Sequence, residues 1–417
     1  MRWYYYIALA AIVSQVLILV QSYRNYCYAL QKYKKKRRWC KPRAALIVPC
    51  RGLDSEFREN ISSFFNQDYE NYLLWFVVAD KSDPAFEELC RLKTKLRQSS
   101  KARDVQIFVA GSAQSCSQKI HNLLYCCRKL SDPRFCGDKL APAQAGVEIL
   151  AFADSDVCVR SDWLSHLVWP LHRSKTGVAS GYRWFIPKKN NLASLVLSAV
   201  NAKVAQLLGP TPFNQAWGGS MAIRAEVFRR LCIEKIWSRA LSDDLSLSRA
   251  IKKAGMKVAF VPACLVASYT STTWRELFEF GRRQFLITRI SSPRTWWFAL
   301  LSSLYSVLGV WGGTGLAVYA SNEFLVLSFE FLVILAVPIV FLARQLSQAI
   351  LRQKMIGRLL EKHLPQMKAA MSADILGFWI WSLLILSLVL SSAFGRTICW
   401  RGIRYKLLGP NETIIVN

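Results

Sequence analysis

The mostly apolar run Val147–Ala153 stops on Asp154-Ser155-Asp156, and no other feature constrains the fold of this 417-residue chain so sharply. An apolar strand ending in two carboxylates places them where open α/β sheets bind ligands, at the carboxyl ends of the strands. Asp-x-Asp there suits a hard divalent cation that also holds a diphosphate, because Mg²⁺-type ions take oxygen ligands and keep water or phosphate in their shell. Alone, such a pair is more often just a solvated turn, so its meaning depends on what the rest of the chain brings to that edge.

The residues before it read as alternating strands and helices. Arg43–Pro49 is a compact apolar run with β-branched residues, followed by the turn Cys50–Asp54. Glu56–Phe65 carries Phe57, Ile61, Phe64 and Phe65 at helical spacing. Asn71–Ala79 is a second strand that ends at Asp80, and the loop Asp80–Pro84, which contains Asp83, leads into a helix reaching about Gln98. Val105–Ala110 is a third strand, after which a polar loop carries Lys119 and Asn122 into helix-like Leu123–Leu130. This order predicts an α/β fold with a doubly wound, mostly parallel sheet, in which the Asp154–Asp156 strand is the fourth. Gly177–Ile186, Met221–Ile223 (after Gly218-Gly219) and Met256–Val261 read as further strands. Ser242-Asp243-Asp244 opens a helix that stops at Gly255, and acids there either cap the helix or carry chemistry.

Both ends of the chain point to a membrane. Hydrophobic residues make up 53%, and the net charge of +28 is explained more simply by an anionic membrane surface than by nucleic acid. Twelve scattered cysteines and four histidines show no metal-ligand spacing. Tyr4–Val20 reads as an uncleaved anchor, with a cleavable signal peptide as its rival, and the basic block Tyr33–Trp39 belongs on the cytosolic side. Trp296–Ala320, Phe324–Ala343 and Ile375–Phe394 are long enough to span, with Glu330 facing protein. Three spans after a cytosolic domain would leave the tail outside, yet it carries Arg396, Arg401, Arg404 and Lys406. Either the tail breaks the positive-inside bias or Trp296–Ala320 is a re-entrant hairpin bending at Gly309–Gly313. Ala193–Leu208 is either a core helix or one lying in the membrane interface.

Acids therefore stand at three points that a wound sheet can bring together: Asp80 with Asp83, Asp154 with Asp156, and Asp243 with Asp244. With Arg282, Arg283 and Arg289 they match the needs of sugar transfer from a nucleoside diphosphate. One acid holds the nucleoside, a pair holds a metal on the diphosphate, another acts as general base, and cations complete the grip.

At these residues the chain resembles the family-2-type (GT-A fold) glycosyltransferases, and within them the ceramide glucosyltransferase-like group. Pro49–Asp54, Phe64-Phe65 and Asp68-Tyr69 match the first strand and helix; Asp80–Ala85 and Asp154–Asp156 match the two acidic motifs. Ser242-Asp243-Asp244 takes the place of the Glu-Asp pair whose second acid is the base, and Ile398–Tyr405 is similar to the group's closing Trp-Arg motif. In the (Gln/Arg)-x-x-Arg-Trp motif Gln284 is kept, but Ile287-Thr288 stand where Arg-Trp belongs, leaving Arg289 or Arg283 to supply the charge.

The resemblance implies an inverting, membrane-bound hexosyltransferase moving glucose from UDP-glucose to a lipid hydroxyl such as that of ceramide or diacylglycerol. It implies Asp156 and Asp154 on Mg²⁺ or Mn²⁺, and Asp80, Asp83, Lys119, Asp154, Gln284, Arg283 and Arg289 on the nucleotide sugar. Asp244 is the expected base, with Asp243 beside it. The expected organisation is an anchor over residues 1–22, a basic linker over 23–42, a cytosolic GT-A domain over 43–293, a membrane region over 294–395 and a basic tail over 396–417. A processive polysaccharide synthase and a non-catalytic binding module are the competing readings.

Overall fold

The computed structural model describes residues 2–35, 41–54, 56–131, 146–323 and 328–416. Most of the expected basic block, Lys36–Trp39, and the start of the expected second span, Phe324–Leu327, lie outside the described residues.

Seven strands form one sheet: β1 (Ala44–Pro49), β2 (Tyr72–Val78), β3 (Asp104–Val109), β4 (Ile149–Ala153), β5 (Thr176–Pro187), β6 (Ser220–Arg224) and β7 (Lys257–Thr270). Their spatial order is β3-β2-β1-β4-β6-β5-β7. All pairs are parallel except those of β6 with β4 and with β5. The doubly wound, mostly parallel sheet expected from the sequence is therefore present.

Strand pleating explains the two layers that cover it. In β1, Ala44, Leu46 and Val48 pack with the helices Phe57–Phe65, Pro84–Leu96 and Trp163–Val168 on one face. Ala45 and Ile47 pack on the other face, with Gln118–Ser131 and Asp243–Lys253. Burial on both faces is why these strands read as continuous apolar runs rather than as alternating ones. The order reverses between β1 and β4, so the switch point where open sheets bind ligands lies between Pro49 and Ala153.

Among the described residues, three helices are long and apolar enough to cross a membrane: Tyr5–Tyr33, Pro293–Asn322 and Phe329–Leu359. The first continues well past residue 22 as one helix, Arg2–Tyr33. The alternative of a hairpin at Gly309–Gly313 is not adopted. A π-turn, Leu308–Gly312, carries the helix through, and Gly309 faces the Phe341 ring so closely that a Cβ would lie 2.1 Å from it. The bend falls instead within Ile375–Phe394, expected to be a straight span. Glu361–Leu376 and Trp381–Ser391 meet at 91°, around a Gly377 packed on the Trp381 ring.

Buried polar contacts hold this bent pair. Asp374 receives Arg352 through both carboxylate oxygens at 2.6 and 2.5 Å, with both side chains almost fully buried. Ala193–Leu208 forms the helix Leu192–Ala205, with Val196, Leu197 and Ala199 packed against Phe185 of β5, Leu277 and Trp381. The basic tail is a three-stranded antiparallel sheet, β8 (Thr397–Trp400), β9 (Ile403–Gly409) and β10 (Glu412–Val416). It packs through Ile398, Tyr405 and Leu407 on Leu241, Leu286 and Ile287.

Candidate functional site

The carboxyl ends of β1 and β4 open into one cleft of about 2150 Å³, which runs from Asp154, Asp156, Asp243 and Asp244 to Ile18 of the first helix and Phe298 of the second apolar one. The sheet brings the acids together from distant parts of the sequence. Asp154 and Asp156 follow directly from β4, while Asp243 and Asp244 occupy the first turn of Asp243–Lys253, where the Ser242 hydroxyl caps the helix by accepting the N–H of Leu245.

Lys119, at the start of the helix Gln118–Ser131, ties the two acidic points together. Its Nζ lies 2.7 Å from Asp154 Oδ1 and 3.0 Å from Asp243 Oδ2. Arg183, on β5, lies 3.7 Å from both Asp154 Oδ2 and Asp156 Oδ2, with its guanidinium over the Trp217 ring at 4.8 Å. Loss of water around the Asp154 carboxyl works to raise its pKa, but Lys119 and Arg183 outweigh that and hold it below the ordinary value. At Asp156 desolvation prevails over Arg183, and Asp154 adds to it, so its pKa is raised. Asp243 is buried, and burial lifts it to about 6 against the pull of Lys119, with Asp244 and Asp154 adding to the rise.

Asp244 is held from three sides. Its Oδ2 accepts the Gly218 N–H at 3.0 Å, and its Oδ1 accepts the Ser242 hydroxyl at 2.5 Å and the Leu245 N–H at 2.7 Å. Glycine is needed beside it for lack of space. A Cβ on Gly218 would lie 2.3 Å from Asp243 Oδ2 and 2.7 Å from Lys119 Nζ, and one on Gly219 would lie 2.7 Å from Asp154 Oδ2.

The remaining expected site residues divide. Gln284 and Arg283 line the cleft, and Arg283 also donates to the Cys399 carbonyl at 3.4 Å. Arg289 does not line it and instead donates to the Gly395 carbonyl. Asp80 and Asp83 lie beyond β2, outside the cleft lining. Asp83 Oδ1 is engaged by the N–H groups of Gly52 and Ala85 at 2.8 and 2.9 Å, the latter as the cap of Pro84–Leu96, and exposed Asp80 accepts from the Ser82 N–H at 2.7 Å. Sequence reasoning gave no site role to Arg183 or Trp217, nor to Asp54 and Tyr405 at the ends of two matched motifs, and all four line the cleft. For Arg183 the available signal was a lone charge within the apolar strand GYRWFI.

Among the described residues no group of three or more His, Cys, Asp or Glu side chains is placed to hold a metal unaided. Asp156 Oδ1 is nevertheless buried with no hydrogen-bond partner. An all-oxygen pair with one unsatisfied acceptor fits a hard divalent cation whose other ligands are phosphate oxygens and water.

The family model described as glycosyl transferase family 21 matches residues 4–413. Among solved structures, the chain is similar to a mannosyltransferase from Pyrobaculum calidifontis solved with GDP-Man and Mn²⁺, at 15% identity and TM-score 0.41, covering 93% of this chain and 97% of that one. It is also similar to GalNAc-T7 solved with UDP, GalNAc and Mn²⁺, at 13% identity and TM-score 0.36, covering 56% of this chain and 45% of that one.

Proposed function

Because the chain belongs to glycosyl transferase family 21, we propose that it is an inverting transferase that moves glucose from UDP-glucose to the hydroxyl of a membrane lipid such as ceramide. The observation that carries this reading is the single cleft joining the Asp154–Asp156 and Asp243–Asp244 carboxylates to the apolar helices. A water-soluble donor enters at the acidic end, and a lipid acceptor reaches the same space from the membrane end between Leu192–Ala205 and Phe298. The catalytic unit then sits at the cytosolic face, held by the N-terminal helix and the C-terminal apolar helices.

Asp156, with Asp154, would hold Mg²⁺ or Mn²⁺ on the donor diphosphate, where a bound cation offsets the charge that develops on the leaving group. Lys119 holds Asp154 and Asp243 in place, and Arg183 and Arg283 face the same space for the diphosphate. Asp80 is left for the uridine, since Asp83 is already engaged by two backbone N–H groups. Asp244 takes the proton of the acceptor hydroxyl. Its three hydrogen bonds fix the direction of the carboxylate before substrate arrives. The deprotonated oxygen attacks the anomeric carbon opposite the diphosphate, so the bond to the diphosphate breaks as the new glycosidic bond forms and the configuration inverts.

The test is incubation of membranes carrying the chain with labelled UDP-glucose and a mixed lipid extract, with and without Mn²⁺, followed by lipid separation. A labelled glycolipid that depends on the metal supports the reading, and its mobility names the acceptor. Label retained as polymer, or none in any lipid with glucose, galactose or N-acetylglucosamine donors, overturns it.

A further inference from the structure

We infer that Arg401, carried on the C-terminal β-hairpin, is a residue that binds the donor's diphosphate. This rests on the sugar-nucleotide reading above and adds to it a contact from the far end of the chain.

Three observations converge on Arg401. The first is its place. Its side chain lines the acidic cleft, its Nη1 donates to the Arg51 carbonyl at 2.6 Å, and its Nη2 lies 3.5 Å from Asp54 Oδ2. Arg51 and Asp54 belong to the loop that leaves β1 at the switch point, so the tail delivers a cation to the edge where the sheet binds ligands. That Asp54 oxygen is buried and has no hydrogen-bond partner, so the guanidinium is held there by charge while other N–H groups remain for a ligand.

The second is the backbone. Arg401 and Gly402 alone join Trp400 to Ile403, which pair across β8 and β9. Their φ values are +47° and +79°, the pattern of a type I′ turn. Such a turn favours Asn-Gly, and a long side chain in the left-handed region carries a steric cost with no local return. An arginine at the first position is thus poor turn chemistry, and its use lies in where the turn points it.

The third is the helix Trp274–Ser291 beneath. It places Gln284 and Arg283 on the cleft but has Ile287 and Thr288 after them, with Ile287 packed against Ile398 and Tyr405 of the hairpin. Trp400 and Arg401 line the cleft from the hairpin that sits on this helix. An indole and a further guanidinium therefore reach the site from the tail, where Ile287 and Thr288 of the helix supply neither.

The decisive variant is Arg401→Asn, since asparagine suits the turn. With the purified full chain and Mn²⁺, the Kd for UDP should rise about ten- to a hundredfold, as expected for losing a charge-assisted hydrogen bond. The unfolding temperature should stay level or rise, and the KM for lipid should hold. Arg401→Lys should recover part of the affinity, and Arg404→Gln, on the same hairpin but outside the cleft lining, should leave it unchanged. In the unaltered chain, UDP should slow tryptic cleavage after Arg401 but not after Arg404. A UDP affinity within twofold of the parent in Arg401→Asn, a lower unfolding temperature explaining the loss, or no protection by UDP overturns the inference. A parent chain that binds neither UDP nor GDP overturns the donor reading and this inference together, and a parent that binds while Arg401→Asn binds equally overturns this inference alone.

Discussion

The backbone N–H of Gln118 donates to the Tyr405 hydroxyl at 3.3 Å, joining the start of a helix in the sheet domain to the C-terminal hairpin 287 positions away. A tail that hydrogen-bonds the sheet domain lies on the same side of any membrane as that domain. The apolar helices between them must therefore cross an even number of times. Crossings by Pro293–Asn322 and Phe329–Leu359, with the pair bent by 91° turning back as a re-entrant hairpin, are the arrangement we propose for that number. On that proposal the basic tail no longer conflicts with the positive-inside bias.

Native cysteines test this sidedness. Cys158, just after β4, and Cys399, on β8, are both exposed. In variants of sealed vesicles retaining one or the other, an impermeant maleimide should reach both from the same face. Labelling from opposite faces would place the tail across the membrane and contradict the hairpin contacts.

Asp244→Asn should lower kcat by at least about a hundredfold, the scale of a lost general base. The amide keeps most of the shape, and its one oxygen can still accept from Ser242 and Leu245 while the Gly218 N–H loses its acceptor, so UDP affinity should change far less than turnover. Glycolipid formation and calorimetric UDP binding on the same preparation separate the two effects. Normal turnover would remove Asp244 from the role of base.

Burial lifts the Asp243 carboxyl to about 6 in the folded chain, above the value of about 4 expected when unfolded. The folded state therefore holds this proton more tightly. Its contribution to stability is present in full below pH about 4 and is lost as pH rises through about 6. Asp243→Asn should flatten that part of the curve, read as unfolding temperature against pH in detergent. An unchanged slope would mean that Asp243 does not titrate there.

The buried Arg352–Asp374 pair makes a contrasting prediction. Asp374→Asn leaves the guanidinium without its charge partner and should cost about 3–5 kcal/mol, read as a lower unfolding temperature. The double variant Arg352→Met/Asp374→Leu should recover most of the loss, because two apolar side chains leave no buried charge. If the double variant is no better than the single, the pair contributes a net attraction rather than a fixed geometry.

Much of the sheet was legible because strands buried on both faces carry their burial in the sequence itself. Leu46 and Ile47 point to opposite layers, and both had to be apolar. The Asp154–Asp156 and Asp243–Asp244 pairs were legible for a related reason, since each marks the abrupt end of an apolar run or the first turn of a helix. What stayed hidden depends on pairing at long range. Arg183 joins the site only because β5 lies beside β6 and β7, and nothing local to GYRWFI announces that. Asp83 carried its own warning in the following Pro84, a helix-start signal, and in the fold it caps that helix. The 91° bend has only Gly377 to mark it in a stretch otherwise apolar enough to read as one span.

The cleft that runs from Asp156 to Ile18 and Phe298 has a further consequence for any lipid it serves. With the tail and the sheet domain on one side, as proposed, the reacting end of the cleft would face one leaflet only. On the proposed reading, acceptor and product pass through that same leaflet, and the sugar is left on the side from which the nucleotide came. Display of the glycolipid on the opposite surface would then require a separate flipping step.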